Sequence, residues 1–251
     1  MELQRLLSLT RKAIDDYQMI RDGDSIAVGV SGGKDSLTML YALSKLRRFY
    51  PRPFHIEAIS VDLGFSEGKN GLEPIRALCN ELEVPYTVVA SDIAEVVFDI
   101  RKESNPCSLC AKLRKGAFNE KAKELGCSKI AYAHHKNDMI ETLLLSLIYE
   151  GRLNCFSPVT YLDRMDLTVI RPLMYVEEAD IIGFKNRFQL PVFKNPCPAD
   201  GYTRRQYAKE LVARLNKENP GCSERMFTAL INGNLPGWPP RSQTERRHHG
   251  Q

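Results

Sequence analysis

The feature that most constrains this chain is Ser25-Ile26-Ala27-Val28-Gly29-Val30, which runs without a break into Ser31-Gly32-Gly33-Lys34-Asp35-Ser36 and then into helix-forming sequence to about Arg48. The first six residues suit a short buried strand. Two adjacent glycines allow positive φ and let backbone N–H groups approach an anion closely. The following helix N-terminus adds its positive end, Lys34 a point charge, and the Ser31 and Ser36 hydroxyls extra donors. The hexamer therefore reads as a phosphate cradle. Its spacing is neither the Walker form nor G-x-G-x-x-G.

The rest of the chain repeats the strand–helix alternation. Leu3, Leu6, Leu7, Ile14 and Tyr17 share one face of an N-terminal helix over residues 1–20. Strands are expected at Phe54–Val61, Tyr86–Ala90, Lys129–Ala133 and Thr168–Ile170, separated by helices. Further helices are expected near Glu177–Phe188, over 201–217 and at Ser223–Asn232. This order implies an α/β fold with a mostly parallel sheet and helices on both faces. Such sheets bind ligands beyond the carboxyl ends of their strands. Asp62 and His134 to Asp138 fall at such ends, as the glycine turn does. Residues 21–234 read as the working domain, and 235–251, with Pro236, Pro239 and Pro240, as a flexible basic tail.

Composition excludes several classes. With 43% hydrophobic and 26% charged residues, disorder is not the main state. No apolar run approaches the roughly 18 residues of a membrane span, and no h-region follows the first residues. The expectation is a cytoplasmic protein with no membrane partner. Its net charge of +4 is unevenly placed: residues 201–251 hold nine Lys/Arg against four Asp/Glu, and Arg101, Lys102, Lys112, Arg114 and Lys115 cluster around Glu103. Basic charge gathered in two places suits a polyanion, although a solvated helix face and a tail explain it equally well.

Seven cysteines in a chain without export signals disfavour a disulfide framework. Cys107 and Cys110 form a C-x-x-C, and Cys197 lies in the stiff Asn195-Pro196-Cys197-Pro198 loop. Cys79 and Cys127 read as small buried apolar residues. One C-x-x-C falls short of a structural zinc site.

The hexamer resembles the PP-loop of the N-type ATP pyrophosphatases. Together with the C-x-x-C and the Pro-flanked Cys197, the chain from about residue 20 to 230 is similar to the iron–sulfur tRNA thiolases of the 2-thiocytidine synthetase (TtcA) type. Ala133-His134-His135-Lys136-Asn137-Asp138 resembles that family's G-H-x-x-D-D segment, with Ala133 and Asn137 as departures, and Arg171-Pro172-Leu173 matches its R-P-L segment. No cysteine precedes Cys79, which disfavours the archaeal 2-thiouridine branch with its N-terminal zinc finger.

The resemblance implies the adenine nucleotide alpha hydrolase-like PP-loop fold and ATP held by Ser31, Gly32, Gly33, Lys34, Asp35 and Ser36. Asp35 would help hold Mg²⁺, Arg114 would lie near the phosphates, and Asp138 would serve in catalysis or position the metal. Asp62 is placed near the ribose or adenine, or is a simple turn residue; His134 has a supporting role at the nucleotide, or a structural one. A [4Fe–4S] cluster would sit on Cys107, Cys110 and Cys197, with Cys155 or Cys222 as alternatives to Cys197. The substrate would be tRNA, at its cytidine 32, gripped by Tyr202, Arg204, Arg205 and Lys209 if those residues are more than an exposed helix face. The sulfur donor would be sulfide or a cysteine desulfurase persulfide, and a homodimer is compatible with this. The chemistry implied is adenylation of the base's C2 carbonyl, then replacement of oxygen by sulfur. A lysidine-type ligase, a cluster-free persulfide enzyme and a nucleotide-binding scaffold that does not turn over remain open at this point.

Overall fold

The computed structural model describes residues 1–65, 72–101, 106–193, 204–233 and 235–242. Six strands form one sheet: β1 (Asp24–Gly29), β2 (Phe54–Asp62), β3 (Tyr86–Ala90), β4 (Lys129–Ala131), β5 (Val159–Leu162) and β6 (Leu167–Ile170), in the spatial order β3-β2-β1-β4-β6-β5. All pairings are parallel except β5 with β6. The order reverses at β1, with β2 on one side of it and β4 on the other, and the crevice at such a reversal is where open α/β sheets bind ligands.

Among the described residues, eight α-helices surround the sheet: α1 (Leu3–Asp16), α2 (Lys34–Leu46), α3 (Leu72–Glu81), α4 (Pro106–Glu124), α5 (Lys136–Leu145), α6 (Glu178–Arg187), α7 (Arg204–Glu218) and α8 (Cys222–Asn232). Side-chain alternation along the strands builds two cores. Ile26 and Val28 of β1 join Leu6, Ile14, Leu37, Leu40 and Phe184 on one face. Ala27 turns the other way and joins Ile59, Ile130 and Val169 beneath Phe118 and Ala122 of α4. Phe184 of α6 is fully buried, stacked on Phe188 at 4.2 Å and edge-on to Tyr41 of α2 at 5.4 Å. Burying a side chain of that size contributes about 2–3 kcal/mol.

Three expectations are corrected. The sheet has a sixth strand: Val159–Leu162 pairs antiparallel with β6 through a four-residue turn in which Asp166 takes φ +51°, a conformation Asp tolerates. The fourth strand stops at Ala131 rather than Ala133, which leaves His134 and His135 in the loop before α5. The helix expected through Tyr149 changes at Ser146 into a π-helical turn, Ser146–Glu150, closed by Gly151 at φ +62°. A second π-helical turn, Glu95–Ile100, was not foreseen.

The N-terminal helix is part of the main core, through Leu6, Ala13 and Ile14. Beyond α8, residues 235–242 lie against it: Leu235 is buried, Trp238 packs edge-on against Tyr17, and the Ser242 N–H donates to the Asp16 carbonyl at 2.7 Å. The remainder of the expected tail, 243–251, lies outside the described residues. No described helix is long and apolar enough to cross a membrane.

Candidate active site

The glycine turn links β1 to α2 and is tied to itself. Ser31 N–H donates to Ser36 Oγ at 3.2 Å, Gly33 N–H to Ser31 Oγ at 3.4 Å, and Ser36 Oγ–H to the Gly33 carbonyl at 2.9 Å. Gly32 has φ +80°, and a Cβ there would stand 2.5 Å from Phe193 Cδ1. Phe193 N–H also donates to the Gly32 carbonyl at 3.1 Å. A glycine is needed here for both conformation and space. Gly33 caps α2, so the first turn of that helix turns its unpaired N–H groups toward the mouth of the loop.

Two carboxylates and two lysines form a relay beside the loop. Lys34 Nζ lies 3.1 Å from Asp35 Oδ2 and 3.2 Å from Glu178 Oε1 at the start of α6. Glu178 is held in turn by Lys209 of α7 at 2.7 Å. Burial works against the charge on Lys34, yet Asp35 and Glu178 raise its pKa above that of an ordinary lysine. Burial likewise opposes the charge on Glu178, but Lys209 and Lys34 hold its pKa below the usual carboxylate value. Across the crevice, Arg205 Nη1 sits 3.0 Å from Asp138 Oδ1 and 3.5 Å from Glu141 Oε2. Burial and the nearby Asp138 charge push Glu141 up to about 7.

His135 stands between the two acidic groups. Its Nδ1 accepts the Asp138 N–H at 3.3 Å, and its own N–H donates to Asp138 Oδ2 at 3.0 Å, a reciprocal cap on α5. Its Nε2 lies 3.7 Å from Asp35 Oδ1 and 3.5 Å from Asp138 Oδ2. Burial lowers its pKa although both carboxylates oppose this, so the ring is neutral near pH 7. Asp35 Oδ1 is buried and accepts no hydrogen bond. A carboxylate oxygen in that state is costly, and a cation is the simplest remedy. Asp35 and Asp138 together are a hard oxygen donor set of the kind Mg²⁺ takes alongside phosphates.

Ser31, Asp35, Ser36 and Asp138 line a cavity of about 590 Å³ together with Arg114, Lys115, Phe118, Tyr132, His134, Phe156 and Arg171. His134 stacks on Phe156 at 4.2 Å and accepts the Arg171 Nε–H at its Nδ1, 3.1 Å away. Burial and the Arg171 charge lower its pKa to about 4, so it is a neutral wall carrying its proton on Nε2. Asp62 forms a turn by accepting the Gly64 N–H at 3.0 Å, and it also borders a small recess shared with Ser31 and Arg114.

Helix α4 carries the C-x-x-C. Ala111, Arg114, Lys115 and Phe118 are its cavity-facing stripe. Cys107, one turn before Ala111, continues that stripe, and Cys110 lies at its border with a small cluster of Leu63, Ile93 and Val97. Cys107 is exposed and Cys110 half-buried. Cys155 is buried, its S–H donates to the Met139 carbonyl at 3.2 Å, and burial pushes it up to about 12, which suits a structural thiol rather than a ligand. Burial also raises Cys79, to about 11, and Cys127. Cys222 begins α8, remote in sequence from the C-x-x-C. Cys197 and Tyr202 lie outside the described residues, and among those described no three His, Cys, Asp or Glu side chains converge as a ready metal position.

Residues 4–215 match the family described as the PP-loop domain. A tRNA-cytidine(32) 2-sulfurtransferase of Pelobacter propionicus is 39% identical over 232 residues, covering 91% of this chain and 86% of that protein. Its counterpart in Geobacter sulfurreducens is 37% identical over 91% of this chain and 90% of its own length. The chain belongs to the PP-loop family, in the tRNA-cytidine(32) 2-sulfurtransferase branch. Among solved structures, the U34-tRNA thiolase NcsA from Methanococcus maripaludis with its [4Fe–4S] cluster superposes with a TM-score of 0.73 at 24% identity, over 88% of this chain and 76% of that one, a likeness of fold.

Of the residues singled out in the sequence, the structure brings Ser31, Asp35, Ser36, Arg114, His134 and Asp138 to the lining of one cavity, while Gly32, Gly33 and Lys34 belong to the adjoining turn. The sequence reading missed His135 as the bridge between Asp35 and Asp138, and it missed Glu141 and Glu178. Glu178 opens the helix after Arg171-Pro172-Leu173, and Glu141 is one turn beyond Asp138. Helical spacing alone could have flagged Glu141.

Proposed function

We propose that this protein is an ATP-dependent tRNA sulfurtransferase that converts a cytidine, that at position 32, to 2-thiocytidine. The observation that carries the reading is that one helix bears Cys107 and Cys110 and, one turn on, Arg114 in the wall of the PP-loop cavity. About 6 Å of helix rise separates Cys110 from Arg114. The names of the relatives support the substrate. The Cys197 segment follows Phe193, which is bonded to Gly32, and precedes Arg204, whose neighbour Arg205 holds Asp138.

The glycine turn, Lys34 and the α2 N-terminus hold the β- and γ-phosphates so that the α-phosphorus faces the cavity. Asp35, with Asp138 beside it, holds Mg²⁺ against the phosphates. Arg114 lies where charge develops on the α-phosphoryl oxygens, and His134 and Phe156 wall the space for the base. The base's C2 oxygen attacks the α-phosphorus and pyrophosphate leaves. Cys107, Cys110 and Cys197 would hold a [4Fe–4S] cluster, whose open iron would present sulfide-level sulfur to the activated base. Attack of hydrosulfide sulfur at C2 forms C=S and expels AMP, with the sulfur's proton released; the adenylate makes a poor oxygen leaving group into a good one. Sulfide, or a desulfurase persulfide with a two-electron reductant, replenishes the sulfur.

The test is anaerobic reconstitution with iron and sulfide, followed by nucleoside mass spectrometry of tRNA treated with ATP. 2-Thiocytidine should form with one AMP released per thiolation. Cys107→Ala should lose the visible iron–sulfur absorbance and the product while binding ATP normally. Lys34→Ala should weaken ATP binding about 10- to 150-fold, the range for losing a charged partner. Full thiolation by Cys107→Ala would sink the cluster assignment, and lysine incorporation in place of sulfur would sink the reaction.

A further inference from the structure

Where α5 becomes the π-helical turn Ser146–Glu150, three apolar side chains in succession face outward. Leu147, Ile148 and Tyr149 are 45%, 47% and 45% exposed, and Leu153 after the turn is 60% exposed. A π-helical turn is an uncommon device that recurs at functional sites, and a contiguous exposed apolar patch marks a surface that meets a partner. The patch is not purely apolar. Arg204 at the start of α7 places its guanidinium carbon 4.7 Å from the centre of the Tyr149 ring.

The next residue, Arg205, connects this patch to the cavity. Its guanidinium lies 6.0 Å from the ring centre of Phe156 and 3.0 Å from Asp138 Oδ1, and both of those residues line the cavity. Phe156 with Arg205 and Tyr149 with Arg204 are therefore two arginine–aromatic pairs carried by adjacent residues of α7, a stepped track of rings and guanidinium groups. The track leads from the place where the target base must react out to the exposed turn.

We propose that the Tyr149–Arg204 pair is a stacking platform for an unpaired nucleotide of the tRNA loop next to the thiolated base, flanked by Leu147, Ile148 and Leu153. This rests on the sulfurtransferase reading and deepens it by naming a surface that holds the substrate. Single-stranded loops are recognised by bases splayed out and stacked on aromatic rings or arginine planes, with cations on the adjoining phosphates. Tyr149 supplies the ring, Arg204 the plane, and the cationic side of α7 the charge. A second protein copy would be served by the leucines and isoleucine, but it has no need of a guanidinium track running into the catalytic cavity.

The experiment uses the full protein and a 17-nucleotide anticodon stem-loop containing cytidine 32, with affinity read by fluorescence anisotropy at fixed salt. Tyr149→Ala should weaken stem-loop binding about 5- to 150-fold, the range for losing one stacked base. Tyr149→Trp should retain affinity, and ATP affinity should be unchanged in both variants. With 5-bromouridine at the loop positions beside cytidine 32, photo-crosslinking should label Tyr149. Unchanged stem-loop affinity in Tyr149→Ala overturns the platform. So does conversion of a wild-type dimer to a monomer that binds RNA as the wild type does, which would make this face a contact between copies. A wild-type protein that binds ATP but no stem-loop removes the sulfurtransferase reading itself, and the platform with it.

Discussion

One guanidinium serves two acids: Arg205 Nη1 lies 3.0 Å from Asp138 Oδ1 and 3.5 Å from Glu141 Oε2, which ties α7 to α5, the helix that carries both carboxylates. The arginine side chain is 44% exposed, so the ion pair itself stabilises the fold by no more than about 1 kcal/mol. Its larger effect is on where Asp138 points.

Arg205→Ala should therefore lower the melting temperature by only about 2–4 °C while reducing single-turnover thiolation at least tenfold, a scale typical of lost positioning. Arg205→Lys should fall between the two proteins. Thermal melts run beside quench-flow thiolation decide it: a rate loss that merely tracks the unfolded fraction removes the positioning role.

Glu141 gives the fold a pH signature. Its pKa is raised to about 7 in the folded protein against an ordinary 4.5, first through burial and then through the Asp138 charge. The folded state thus holds a proton that the unfolded chain has released, and stability falls as pH rises from about 4.5 to about 7. Glu141→Gln cannot ionise. Its stability relative to the native protein should rise across that window by about 1–3 kcal/mol and be flat above pH 8. Urea melts at pH 4.5, 6 and 8 provide the check, and a difference independent of pH would refute the shift.

Gly32→Ala asks for a Cβ at φ +80° and 2.5 Å from the Phe193 ring. The left-handed conformation alone costs roughly 1–2 kcal/mol. ATP affinity and the melting temperature should both drop. The double variant with Phe193→Ala relieves the collision but not the backbone, so it should recover only part of the loss. Full recovery would show that the conformation is not required.

The thiols should separate by burial. Cys107 is exposed, whereas Cys79 and Cys155 are buried with their pKa values raised to about 11 and about 12. Iodoacetamide on the cluster-free protein, read by peptide mass spectrometry, should modify Cys107 and leave Cys79, Cys127 and Cys155 untouched until the protein unfolds. Alkylation of Cys155 as fast as Cys107 would contradict this.

What could be read from the residues followed their periodicity. β3 at Tyr86–Ala90 has the bounds its apolar run gives it, and the turn at Ser31–Ser36 follows from two adjacent glycines set between strand and helix sequence. β5 was missed because Val159–Leu162 is short and pairs antiparallel at a sheet edge, outside the strand–helix rhythm. The strand expected at Lys129–Ala133 would have brought His134 and His135 directly onto its end. That failed because β4 ends at Ala131 and His135 serves as a helix cap. The Lys34–Glu178–Lys209 relay joins residues far apart in the chain, and no local pattern encodes such a meeting.

That Cys107, Cys110 and Arg114 ride on one helix makes their relationship angular as well as linear. An α-helix advances about 1.5 Å and turns about 100° with each residue. Inserting one residue between Ala111 and Arg114 would swing the thiols around the axis, away from the cavity, while barely lengthening the gap. Inserting a stretch close to whole turns would restore their facing at a greater distance. The C-x-x-C pair is thus set like a key on a shaft, and a set of such insertions would separate orientation from reach.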